Sequence, residues 1–136
     1  MNLLVVDHDS DACELFARVF EGEGYAAVRC YDHDDAVGRV AVDPVDLVLI
    51  AFSGGGGGHL RLLESIRSLA DPAAAAVRAV VVADDTRDQA GAWQSGADGF
   101  LTRPLHSSRL LATVAEVLAR PEAERADHRR AHLDDA

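Results

Sequence analysis

Three ionisable side chains, Asp7, His8 and Asp9, directly follow the short apolar run NLLVV. Carboxylates so placed could hold a hard divalent cation or carry protons, and the imidazole could sense pH or ligate a metal. A second apolar run, DLVLI, leads into Ala51 and Phe52, and SGGGGG follows. Strands that end in a glycine-rich loop often present a reactive or phosphate-binding group there, but here the position holds a methyl group. The glycine run lacks the Lys-Ser/Thr of a phosphate-cradling loop and is read as a flexible loop. Asp84 and Asp85 follow a third apolar run, AVVVA, and Arg103-Pro104 follows GFLT. An enzyme or metal centre made from Asp7, His8 and Asp9 would lack a nucleophile–base pair. The plainer expectations are that Asp9 caps a helix, His8 is an exposed turn residue and Asp84 and Asp85 lie in a solvated loop.

Five strands are expected to position these groups: Asn2–Val6, Tyr25–Tyr31, Val45–Ala51, Ala79–Ala83 and Gly99–Thr102. Helical spacing of apolar residues places a helix from Asp9 or Ser10 to Gly22, and others over Asp32–Val42, His59–Ala70, Thr86–Ser95 and Ser107–Ala119. Strict alternation of strand and helix predicts an α/β fold, a flavodoxin-like, doubly wound parallel sheet of order 2-1-3-4-5 with five helices. Function in such a sheet gathers at the carboxyl ends of the strands, at the switch point. Those ends are Asp7, Ala51, Ala83 and Thr102-Arg103. Residues 1–120 form the expected domain. Residues 121–136 are charged, with little to bury, and are read as a tail or a helix extension.

The chain has 136 residues, a net charge of −10 and 49% hydrophobic residues, which fits one domain with a real core. The acidic balance argues against direct nucleic-acid binding, and all 13 strongly basic residues are arginine. No apolar run approaches the ~20 residues that span a bilayer. Asp7 and Asp9 follow the first residue too closely for a secretory leader, so a cytoplasmic location is expected. Cys13 and Cys30 sit inside apolar patterns and are read as buried free thiols.

Three segments in order carry a family resemblance: LLVVDHDSDACELF, PVDLVLIAF and GADGFLTRPL. Together they resemble the receiver domain of bacterial two-component response regulators over Asn2 to about Arg120. That resemblance implies a site of five side chains: two acids after the first strand, a phosphoacceptor aspartate after the third, a Thr or Ser after the fourth and a Lys after the fifth. The acids would hold Mg²⁺. Here Asp7 matches, His8 stands for the second acid, Ala51 for the acceptor, Ala83 for the hydroxyl residue and Arg103 for the lysine.

A methyl group neither attacks phosphorus nor binds a metal, so the expectation is a degenerate, phosphorylation-independent pseudo-receiver without enzymatic activity or Mg²⁺. Arg103, whose fork suits a carboxylate, is expected to pair with Asp7, Asp9 or both. The family likeness also implies a switch aromatic at Phe100 and a cis peptide before Pro104. It implies a contact face made of the fourth helix, fifth strand and fifth helix, near Trp93, for protein partners or a homodimer, in a phosphorelay or in transcriptional control through an output domain. The alternative is a receiver whose vacated pocket takes a small molecule.

Overall fold

The structure, a computed structural model, describes residues 1–53 and 58–135. Five parallel strands, β1 (Asn2–Val6), β2 (Ala26–Cys30), β3 (Leu47–Ala51), β4 (Arg78–Ala83) and β5 (Gly99–Thr102), form one sheet of order β2-β1-β3-β4-β5. The order is the expected one. In register, Leu4 lies beside Val48, Val48 beside Ala79 and Val82 beside Leu101.

The helices are α1 (Ser10–Gly22), α2 (His33–Val42), α3 (Gly58–Arg67), α4 (Pro72–Ala75), α5 (Gln89–Gln94), α6 (Ser107–Ala119) and α7 (Glu122–Asp135). Strand alternation divides the core into two layers. Leu3, Val5, Leu47, Leu49 and Val80 face α1 and α6, where they meet Phe20, Leu110 and Val114. Leu4, Val6, Val48, Ile50 and Val81 face the other way, toward Val40 of α2, Leu63 and Ile66 of α3, and Trp93 of α5. Burial on both faces explains why β3 is apolar at every position.

Seven helices among the described residues correct the expected five. The expected helix over His59–Ala70 ends at Arg67, and α4 follows. Asp71 caps α4 by accepting from the Ala73 N–H at 3.2 Å, and Pro72 occupies its first turn. The expected Thr86–Ser95 helix is split into a 3-10 turn at Thr86–Asp88 and then α5. Asp85 caps that turn by accepting from Arg87 N at 2.8 Å. Gly96 closes α5 with φ of +100°, and a Cβ there would stand 2.8 Å from Arg67 Nε. The acidic and basic stretch after Pro121 forms α7, which packs on α5. Its Arg125 is buried to 5% exposure.

The Arg103–Pro104 peptide is cis. Cys13 and Cys30 are buried free thiols, with Cys13 Sγ 3.5 Å from the Val5 carbonyl. Gly58 opens α3, while the rest of the glycine run, 54–57, lies outside the described residues.

Candidate functional site

The parallel register brings the ends of β1, β3, β4 and β5 to one edge of the sheet. Backbone bonds hold them there: Asp7 N donates to Cys30 O at 3.0 Å, Phe52 N to Val82 O at 3.1 Å and Arg103 N to Ala83 O at 2.9 Å. Asp7, Ala51, Ala83 and Arg103 therefore sit around one point, as expected from the order of elements.

Asp7 is 4% exposed. Its Oδ1 accepts from Asp9 N at 2.9 Å, and its buried Oδ2 has no hydrogen-bond partner. Burial pushes the Asp7 carboxyl above its ordinary range, against the opposing effects of the Asp9 N–H and the Arg103 charge. Burial also raises both thiols, so neither has the lowered pKa of a reactive cysteine.

Arg103 meets its expected partner Asp7 as an ion pair, but a long one. Its Nη2 lies 3.9 Å from Asp7 Oδ2, a charge contact without a hydrogen bond. Its Nη1 instead donates to the Phe52 carbonyl at 2.6 Å and to Asp84 Oδ1 at 3.1 Å. Asp84, read from sequence as a solvated loop residue, is thus the nearest carboxylate to the guanidinium. Asp9 takes no part in that pairing. Its side chain caps α1, accepting from Asp11 N at 3.0 Å and Ala12 N at 3.3 Å. Asp85 is likewise engaged locally, with Arg87 Nη2 at 2.7 Å.

His8 is exposed, and its ring centroid lies 4.8 Å from that of His33 at the start of α2. Burial, and then the charge of His8, hold the His33 imidazole below its ordinary range. Ala51 and Ala83 are buried methyl groups, 5% and 0% exposed.

The donor set does not fit the octahedral oxygen shell that Mg²⁺ requires. Asp7 contributes one open oxygen, Asp9 is committed to a helix end and Ala51 contributes none. The Arg103 guanidinium already brings positive charge to Asp7, where it would repel a cation. No group of three or more His, Cys, Asp or Glu that could hold a metal occurs among the described residues.

Phe100 is half-buried and packs against the α3 and α5 layer of the core. It lines two shallow grooves on the α5–β5–α6 face. One, of about 410 Å³, includes Thr86, Pro104 and Arg109. The other, of about 210 Å³, includes Trp93, Glu116, His128 and His132. Trp93 is 4% exposed and lies under α7, with the His132 ring stacked on it at 4.2 Å. The sequence left Trp93 open between core and contact surface, and the structure buries it in the core layer beneath α7.

Sequence reasoning missed a second charged centre, at the opposite edge of the sheet. Asp98, 2% exposed, precedes β5. It accepts from Arg125 Nε at 2.8 Å and Nη2 at 3.0 Å, from Arg129 Nη2 at 3.1 Å and from the Ala79 N–H at 3.0 Å. Arg67 Nη2 adds a bond at 3.3 Å. Burial works against the Asp98 charge, but the Arg125 bonds and the Arg129 charge outweigh it, so its carboxyl is held below the ordinary range. Burial pushes Arg67 down to about 10. The spacing of Arg125 with Arg129, and of His128 with His132, was the available signal, since residues four apart share a helix face.

Comparison with known proteins agrees with this fold. The response regulator receiver domain family matches residues 3–115. The chain is 25% identical over 118 residues to the phosphate regulon transcriptional regulatory protein PhoB of Klebsiella pneumoniae, covering 87% of this chain and 52% of that protein. It is 29% identical over 125 residues to the DNA-binding response regulator MtrA of Mycolicibacterium smegmatis, covering 92% and 54%. The chain thus spans about half the length of the curated relatives it matches. Among solved structures, a two-component response regulator from Clostridium difficile superposes with a TM-score of 0.73 at 27% identity, covering 88% of this chain and 97% of that one. A putative response regulator from Chloroflexus aurantiacus shares the fold at a TM-score of 0.78 and 22% identity, covering 88% and 98%.

Proposed function

Because this chain belongs to the response regulator receiver domain family, we propose that it is a degenerate member that signals without phosphorylation, as a non-catalytic module acting through protein contacts. One observation carries the reading: the carboxyl end of β3 presents the methyl group of Ala51, which has no lone pair with which to accept a phosphoryl group. The surroundings favour it. Arg103 is engaged with the Phe52 carbonyl and Asp84, and Asp7 offers a single open oxygen. Transfer that depends on a metal and on positioned charge has few of its parts here.

The contact face in this reading is α5–β5–α6, which are the fourth helix, fifth strand and fifth helix expected from sequence. Phe100 and Arg109 border its grooves. The pathway would be a cytoplasmic two-component or phosphorelay system. Among the described residues no helix is long and apolar enough to cross a membrane. Control of transcription, which the relatives' names indicate for them, would come here through a separate output module, since a net charge of −10 disfavours direct DNA contact.

Incubation with acetyl phosphate and Mg²⁺, followed by intact-mass measurement, is expected to leave the protein unmodified. Partners captured from the native cell should be the same with and without acetyl phosphate, and should be lost with Arg109→Glu. A stoichiometric, hydroxylamine-labile acyl phosphate would overturn the reading, as would capture that depends on acetyl phosphate.

A further inference from the structure

α7 is a poor helix to hold by hydrophobicity. Its sequence, EAERADHRRAHLDD, offers one large apolar residue, Leu133, which packs against the core layer containing Ala92 and Trp93. Two polar attachments hold it instead. At its start, Arg125 and Arg129 grip Asp98, Arg125 Nη1 donates to Ala76 O at 2.7 Å, and Arg129 Nε donates to Ala97 O at 3.0 Å. Interleaved with these arginines along the helix, His128 and His132 enclose Trp93 of α5. The His132 ring is stacked on the indole at 4.2 Å and 7°, and the His128 ring meets it edge-on at 5.6 Å. The two imidazoles lie 4.6 Å apart.

We propose that His128, His132 and Trp93 form a pH-sensitive latch that seats the end of α7 on α5 while the imidazoles are neutral and lets it lift when both are protonated, uncovering Trp93 at the rim of the α5–β5–α6 face. The regulatory meaning of this latch rests on the reading of that face as the docking surface.

Charge placement supports the latch. One imidazolium over the indole face gains from the ring quadrupole, so a first proton is accommodated. A second puts two like charges 4.6 Å apart on one helix face. The groups facing the pair do not relieve it. From α6 come Arg120, Glu116 and, across the groove, Arg109, and from α7 itself comes Arg129. Asp98, ahead of β5, is already bonded to Arg125, Arg129 and Arg67. Glu116 is thus one carboxylate among several cations, and it also accepts from Arg120.

Burial first, then the Arg120 charge and then His132, hold the His128 imidazole below its ordinary range. A base with a lowered pKa in the folded state stabilises that state fully above its unfolded pKa of ~6.5 and progressively less as pH falls below it. Asp98 stays ionised over that range because its carboxyl is held low. The Arg125 and Arg129 attachments therefore persist, the hinge lies just past Arg129, and the part that lifts carries His132 away from His128.

Amide hydrogen exchange of the whole chain at about pH 7.5 and pH 5.5, corrected for the intrinsic rate, tests the latch directly. Protection over residues 131–135 is expected to fall about tenfold at the lower pH, while β1, β3 and Arg125 keep theirs. In the double variant His128→Gln, His132→Gln, protection over 131–135 should no longer depend on pH. If the double variant does not fold, His128→Gln alone should remove most of the dependence. Equal wild-type protection at the two pH values, or an equal loss in the variants, would overturn the latch. The measurement involves no partner. A latch that opens while Arg109→Glu still captures every partner would leave the latch standing and remove only the docking reading.

Discussion

The two edges of the sheet carry charge in opposite ways. At the carboxyl edge, Asp7 is a buried carboxylate with one oxygen that accepts no hydrogen bond, and Arg103, 29% exposed, has turned to the 46% exposed Asp84. At the amino edge, Asp98 and Arg125 are 2% and 5% exposed, and the carboxylate accepts hydrogen bonds on both oxygens. The first arrangement sets a buried carboxylate beside a partly hydrated guanidinium that does not hydrogen-bond it, and the second is a closed cluster of ions. The difference teaches where electrostatics hold this molecule together. An exposed pair contributes little because water screens it, while a buried charge that loses its partners is expensive.

The strongest way to break the comparison is at the amino edge. Asp98→Ala leaves Arg125, Arg129 and Arg67 without their shared carboxylate, and is expected to cost about 3–5 kcal/mol in urea unfolding, with α7 detached. The wild type should also lose stability in acid. The Asp98 carboxyl is held below its ordinary value of 3.8, so its contribution is complete above that pH and disappears as pH falls through the lower folded value. A neutral Asn at the same position should flatten that part of the acid profile. If Asp98→Ala unfolds at wild-type urea concentrations, the cluster is not what holds α7.

The next test has the opposite sign. Asp7 has a raised carboxyl pKa, so its charge works against the fold at neutral pH, and its contribution is favourable only in acid. Asp7→Asn is therefore expected to raise stability at pH 7 slightly, by less than about 1 kcal/mol, seen as a small increase in Tm. The gain should vanish as pH falls below the unfolded carboxylate range. A clear loss at pH 7 would mean that the Arg103 contact outweighs burial. Smallest of all, Arg103→Gln should change stability by about 0–1 kcal/mol, and added salt should shrink the difference further.

Much of the fold was legible because its signals are local. The all-apolar β3 run, the helical spacing around Phe20 and the strand-like AVVVA segment each indicate their element without knowledge of the neighbours. The site was legible as a place and as a set of missing atoms, since strand ends meet in any sheet of this order. What could not be read was the choice of partners. Asp84 was assigned to a solvated loop and Asp7 to Arg103; Asp84 is exposed and the Asp7 ion pair is present at 3.9 Å, but the hydrogen bonds of the Arg103 fork go to Asp84 and the Phe52 carbonyl. Nothing local orders those alternatives, because they differ by a few ångströms across three strand ends.

By itself, the sequence determined the alternation of five strands with helices, the apolar layers on both faces of the sheet and the absence of a nucleophile at Ala51. These follow from residue type and spacing along the chain. Only the tertiary structure decided that the charged segment after Pro121 is an ordered helix. Its composition offers little to bury, and its order comes from groups distant in sequence: Asp98 for Arg125 and Arg129, and Trp93 for His128 and His132. An arginine can leave water only where a carboxylate and carbonyls are already waiting for it, and that meeting exists only once β4, β5 and α5 have folded together.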